Sequence, residues 1–84
     1  MTNWYKRDDV EEVAEAVVWM GEIYGTPEDV GLGKQVLNAI NHGQFNPKEW
    51  MEDKENGLLP RLMRANARLD DEYYLRASGK SPVA

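Results

Sequence analysis

The sequence predicts an all-α fold: one small single-domain bundle of three main helices plus one short helix. Three observations carry this. Apolar residues recur at intervals of three and four along most of the chain. Helix-start signals stand ahead of three of these runs, at Asp8-Asp9, Thr26-Pro27-Glu28-Asp29 and Asn46-Pro47-Lys48-Glu49. No alternating run of β-branched and aromatic residues lies between turns, so no strand is expected.

For the first helix, Asp8 or Asp9 offers a cap. Asp8 with Glu11, and Asp9 with Glu12, have the spacing of a capping box. Val10, Val13, Ala14, Val17, Met20 and Tyr24 then form an apolar stripe, which Val18, Trp19 and Ile23 widen past one face. Such a helix either sits centrally or shows apolar surface to a partner. Gly25 is expected to end it in a left-handed conformation.

In the second helix, Thr26 caps, Pro27 takes the first helical position, and Asp29 closes the box. Val30, Leu32, Val36, Leu37 and Ile40 follow, and Asn41-His42-Gly43 ends the run. Gly31 and Gly33 each weaken the helix by about 1 kcal/mol relative to alanine. Two readings fit them: a neighbouring helix crossing closely, or a backbone held open for a ligand.

The third helix starts from the cap Asn46 and is expected to last about two turns. Phe45 and Trp50 flank its start and are expected to staple the chain entry. The fourth begins near Gly57 or Leu58, which leaves Pro60 inside the first turn, where its missing N–H is harmless. Leu58, Leu62, Ala65, Leu69 and Tyr73 form its stripe. It either runs to Ala77 or breaks near Asp70-Asp71. Short links make successive long helices antiparallel. The domain is expected over residues 1–77, with 78–84 as a flexible tail.

At 84 residues the chain has room for one core, and a monomer is expected to hold ~5 kcal/mol of stability or less. It contains no cysteine, so a disulfide framework, a thiolate zinc site and a thiol nucleophile are excluded. No apolar run approaches the roughly 18 residues of a membrane span, and the start lacks a secretory pattern. A cytoplasmic domain without membrane contact is expected.

Catalytic chemistry finds little support. The only serines, Ser78 and Ser81, sit in the expected tail, and Thr26 is explained as a cap. His42 falls in a helix-ending turn, where it suits the free carbonyls. A catalytic His42 would need a carboxylate such as Glu49 or Glu52 beside it. Many acids occupy first helical turns, where they complement the macrodipole. Asp70-Asp71-Glu72 lacks the alternation of a calcium loop, and Gly31-Leu32-Gly33 lacks the rest of a phosphate loop. No cofactor and no metal are expected.

Charge is more informative. Residues 1–29 hold eight acids and two bases, a net −6, whereas residues 57–84 hold three acids and five bases, a net +2. Arg61, Arg64 and Arg68 form a stripe on the fourth helix. Three uses compete for it: a solvated face paired to acids of the first helix, an acidic protein partner, or nucleic-acid phosphates. The overall charge of −5 opposes the last. A helix-turn-helix reading fails, because the helix after His42 would push Glu49, Glu52 and Asp53 into the groove. On the first helix, Glu11, Glu15 and Glu22, with Asp8 and Asp9, form either a solvated face or an imitation of a phosphate row.

These features together imply a non-enzymatic protein-interaction module, a small adaptor or inhibitor that occupies a surface on a larger protein. Trp4, Tyr5, Trp19, Glu11, Glu15 and Glu22 are the expected partner-binding residues. The alternative is a nucleic-acid-binding regulator that uses Arg61, Arg64 and Arg68. A homodimer is compatible with both. In size, acidity and capping pattern the chain resembles small accessory proteins of bacteria and their phages, a resemblance that assigns no residues.

Overall fold

Four helices follow one another in the computed structural model, which describes residues 6–77. They are α1 (Arg7–Tyr24), α2 (Pro27–Asn41), α3 (Pro47–Trp50) and α4 (Leu58–Ala77). All-α is the observed class, and no strand occurs among the described residues. Trp4, Tyr5 and the expected tail lie outside those residues.

Helix α1 starts earlier than the cap reading required. Lys6 is its N-cap and makes no side-chain capping bond. Asp8 and Asp9 therefore lie inside the first turn, where they complement the helix dipole without capping. Gly25 also departs from expectation, since its φ is −100° and not left-handed. Its smallness matters instead: a methyl group there would stand 2.8 Å from Asp29 Oδ2 and 2.9 Å from Leu69 Cδ2. The α1–α2 corner is that tightly filled.

The start of α2 follows its sequence. Thr26 Oγ1 accepts from the Asp29 N–H at 3.2 Å, and Asp29 Oδ2 accepts from the Thr26 N–H at 3.0 Å. Its end is a Schellman motif: Gly43 adopts φ +70°, its N–H donates to the Ile40 carbonyl, and the Gln44 N–H donates to the Ala39 carbonyl. Helix α3 is a single turn and not two. The Asn46 side chain accepts from the Glu49 N–H, and Phe45 meets Trp50 edge-to-face with centroids 5.4 Å apart. A tight turn at Gly57 leads into α4, which runs unbroken to Ala77.

The three long helices run up, down and up. Gly21 meets Val30 and Gly33 meets Ala14, so α2 is antiparallel to α1. Leu58 at the start of α4 lies beside Asn38 and His42 at the end of α2, and Arg68 in the middle of α4 reaches Asp29 at the start of α2, so α4 is antiparallel to α2 and parallel to α1. Between them lies the core: Val10, Ala14, Val17 and Met20 from α1, Val36 and Ile40 from α2, and Leu59, Leu62, Ala65 and Leu69 from α4. Burying a leucine such as Leu59 or Leu62 contributes about 1.5–3 kcal/mol relative to leaving it in water.

The two glycines of α2 separate. At Gly33 a methyl would sit 2.6 Å from Val18 Cγ2 and 2.8 Å from the Ala14 carbonyl oxygen, so the helices cross there in near backbone contact. Gly31 faces open space. Close crossing therefore explains Gly33 alone.

Candidate functional site

Among the described residues, the exposed large apolar side chains stand on the upper part of α1 and on the last turns of α4, where Leu75, 47% exposed and two residues past Tyr73, lies on a different face of the helix. Trp19 is 51% exposed, Ile23 59%, Tyr73 43% and Tyr74 70%. Trp19 and Ile23 are one helical turn apart on α1. Trp19 meets Tyr73 across the seam, with ring centroids 5.8 Å apart and planes at 61°. The sequence put Tyr73 on the buried stripe, and its exposure is a correction. Helix α2 begins at the level of Arg68, so past Leu69 the last turns of α4 have lost a neighbour. No residue of α4 beyond Leu69 is buried.

Tyr24 anchors the edge of this region. Its hydroxyl donates to the Leu69 carbonyl at 3.1 Å, and the Arg76 guanidinium stacks 4.9 Å above its ring. Burial pushes the Tyr24 phenol above its ordinary pKa, against the lowering pull of Arg76. Arg76 is also paired with Glu72 at 3.7 Å.

Acids border the aromatic surface. Helix α1 carries Asp8, Asp9, Glu11, Glu12, Glu15 and Glu22 against Arg7 alone, a net −5. Relative to Trp19, Glu15 is one turn before, Glu22 one turn after and Glu12 two turns before, so all flank its face. Glu15 and Glu22 are exposed and Glu11 is half-buried. Asp8, Asp9, Glu11, Glu12 and Glu15 line a shallow depression. Among the described residues no group of metal-ligating side chains is placed to hold an ion.

The arginine stripe lies elsewhere, along a groove between α2 and α4. Arg61, Arg64 and Arg68 share its wall with Glu28, Asp29, Gly31 and Gln35. Two of the three are committed. Arg68 pairs with the buried Asp29, and Arg64 donates to the Glu55 carbonyl. The sequence reading paired the stripe with acids of the first helix; its partners are instead Asp29 of α2 and the Glu55 carbonyl ahead of α4. Burial pushes the Asp29 carboxyl up, but the Arg68 guanidinium and the Thr26 N–H outweigh it and hold its pKa below the ordinary value. Asp29 caps one helix and clamps another, and no buried side-chain polar atom among the described residues is left without a partner.

A broad open hollow at the other end is lined by Gln35, Asn38, His42, Glu49 and Trp50 among others. His42 Nδ1 lies 2.7 Å from the Asn38 carbonyl, which only accepts, so that nitrogen donates. Glu49 is taken by the Asn46 side chain at 3.2 Å. His42 and Glu49 share the hollow without bonding to each other.

The structure thus brings Trp19, Glu15 and Glu22 onto one face, and leaves the arginines on another. Ile23, Tyr73 and Tyr74 join Trp19 as candidates that the sequence did not single out. For Ile23, its place outside the main apolar stripe was an available signal. The class defined by this fold is a small all-α bundle with an acid-bordered aromatic surface. No family model, no curated protein and no solved structure matches the chain. No described helix is long and apolar enough to cross a membrane.

Proposed function

We propose that this chain is a non-enzymatic protein-interaction module, a small adaptor or inhibitor that occupies a surface on a larger protein. The observation that carries the reading is the exposed apolar strip of Trp19, Ile23 and Tyr73, in which two aromatic rings meet across the seam of α1 and α4 and still stay in water. Aromatic side chains of this kind supply most of the energy in protein interfaces, and leaving them in water has no structural return. The reactive inventory points the same way, with no cysteine and with His42 and Glu49 each held by a neighbouring group.

The nucleic-acid reading has weaker support. Of its three arginines, Arg68 is bound to Asp29 and Arg64 to a carbonyl, and Glu28 stands in the same groove. One free arginine and a net charge of −5 give little phosphate affinity.

Capture from a lysate of the source cells, with the wild type and a Trp19→Ala/Tyr73→Ala variant compared, tests the proposal. The wild type is expected to retain a defined protein that the variant loses, at unchanged helical content. Equal capture by both, or by neither, overturns it. Salt-dependent binding to duplex DNA that is abolished by Arg61→Ala would favour the alternative.

A further inference from the structure

We propose that the surface formed by Trp19, Ile23 and Tyr73 takes a basic amphipathic helix of its partner, an inference that rests on the interaction reading above. Helices α1 and α4 run parallel, and Trp19 meets Tyr73 across their exposed seam, an apolar strip on which the apolar face of a third helix can lie. The strip is apolar and aromatic, supplied by Trp19 and Ile23 of α1 and Tyr73 of α4.

The border fixes the sign of the partner. Glu12, Glu15 and Glu22 flank Trp19 on α1, and Asp70 lies one turn before Tyr73 on α4. The only base on α1 is Arg7, twelve residues from Trp19, which is about 18 Å along the axis. The nearby base of α4, Arg76, is engaged by Glu72 and by the Tyr24 ring. A lysine- or arginine-rich helix therefore finds carboxylates on both sides of an apolar strip. A second copy of this chain does not. A two-fold dimer through this face would bring the Glu12, Glu15 and Glu22 border of one copy to the same acidic face of the other, and like charges there oppose association.

The test uses a labelled synthetic amphipathic helix with leucines at heptad spacing and lysines elsewhere. Its twin carries glutamate for every lysine. Fluorescence anisotropy with the full chain is expected to show binding of the lysine peptide and not of its twin. Trp19→Ala is expected to weaken binding about tenfold or more. Ile23→Ser, at a more exposed position, is expected to act in the same direction without risk to the core. Glu15→Gln/Glu22→Gln is expected to weaken it several-fold and to flatten its salt dependence. Glu28→Gln/Glu55→Gln removes the same charge outside the strip, from the α2–α4 groove and from the segment ahead of α4, and is expected to change affinity less than about twofold.

Equal binding of the two peptides, indifference to both Trp19→Ala and Ile23→Ser, or dimerisation of the wild type through Trp19 each overturn the inference. The two levels fail separately. If lysate capture depends on Trp19 and Tyr73 but the lysine peptide does not bind, the module stands and the basic partner falls. If capture is indifferent to both residues, the module itself falls.

Discussion

The two flanks of α1 are built on opposite plans. Toward α2 it presents Ala14, Val18 and Gly21, and at Gly33 the two backbones nearly touch. Toward the upper part of α4 it presents Trp19 and Ile23, and much of that surface stays in water. The first flank spends small residues to close a seam. The second keeps large ones at a seam it leaves open. The difference teaches that stability and proposed binding are carried by different sides of one helix, so substitutions should separate them.

The largest expected effect is in the shared core. Leu62→Ala should cost about 3 kcal/mol by transfer and cavity terms, a large part of the stability of so small a domain. Urea titration followed by circular dichroism measures it. Next is the closed seam. Gly33→Ala should destabilise by about 2 kcal/mol, because the methyl meets the Ala14 carbonyl and the Val18 side chain. Gly31→Ala, two residues away and facing open space, should instead stabilise by about 0.5–1 kcal/mol. Opposite signs for one chemical change would show that the crossing, and not helix propensity, decides. Equal signs would break the comparison.

Asp29 follows. Asp29→Asn weakens the capping box and the pair with Arg68 and should cost about 1–2 kcal/mol. The pH dependence has a definite sign. The folded-state pKa lies below the unfolded one, so the contribution is full above about pH 4 and is lost as the pH falls through the depressed value. Thermal melts between neutral and acid pH should show this loss in the wild type and a shallower one in Asp29→Asn. Smallest is the open flank. Tyr74→Ser should change stability by less than about 0.5 kcal/mol, and Trp19→Ala by about 1 kcal/mol, its edge contact with Tyr73 included. A greater loss at Tyr74 would mean that the exposed seam belongs to the core.

What the sequence disclosed was local. The box at Thr26 and Asp29, the cap at Asn46, the staple of Phe45 on Trp50 and the stop at Gly43 all lie within five residues of their partners. Signals at that range are chemical and survive without a fold. The same grammar misled at Asp8 and Asp9, where two overlapping boxes were on offer and the chain used neither. Distant facts were hidden. Nothing in residues 27–41 announces that Asp29 would meet Arg68, because the pair spans 39 positions. Gly31 and Gly33 look alike until a second helix is laid against one of them. Trp19 could be read as off the stripe, yet its meeting with Tyr73 depends on how α1 and α4 align.

The two-residue link Gly25-Thr26 has a consequence for the order of folding. It makes α1 and α2 a hairpin of local contacts, and most of the interhelical contact lies there. Closing so short a loop costs little chain entropy, whereas α4 must return across the whole span from Asn41 to Leu58. The hairpin is therefore the expected nucleus, and α4 docks on it late. In stopped-flow experiments Gly33→Ala should slow refolding, while Arg68→Ala should leave refolding nearly unchanged and speed unfolding.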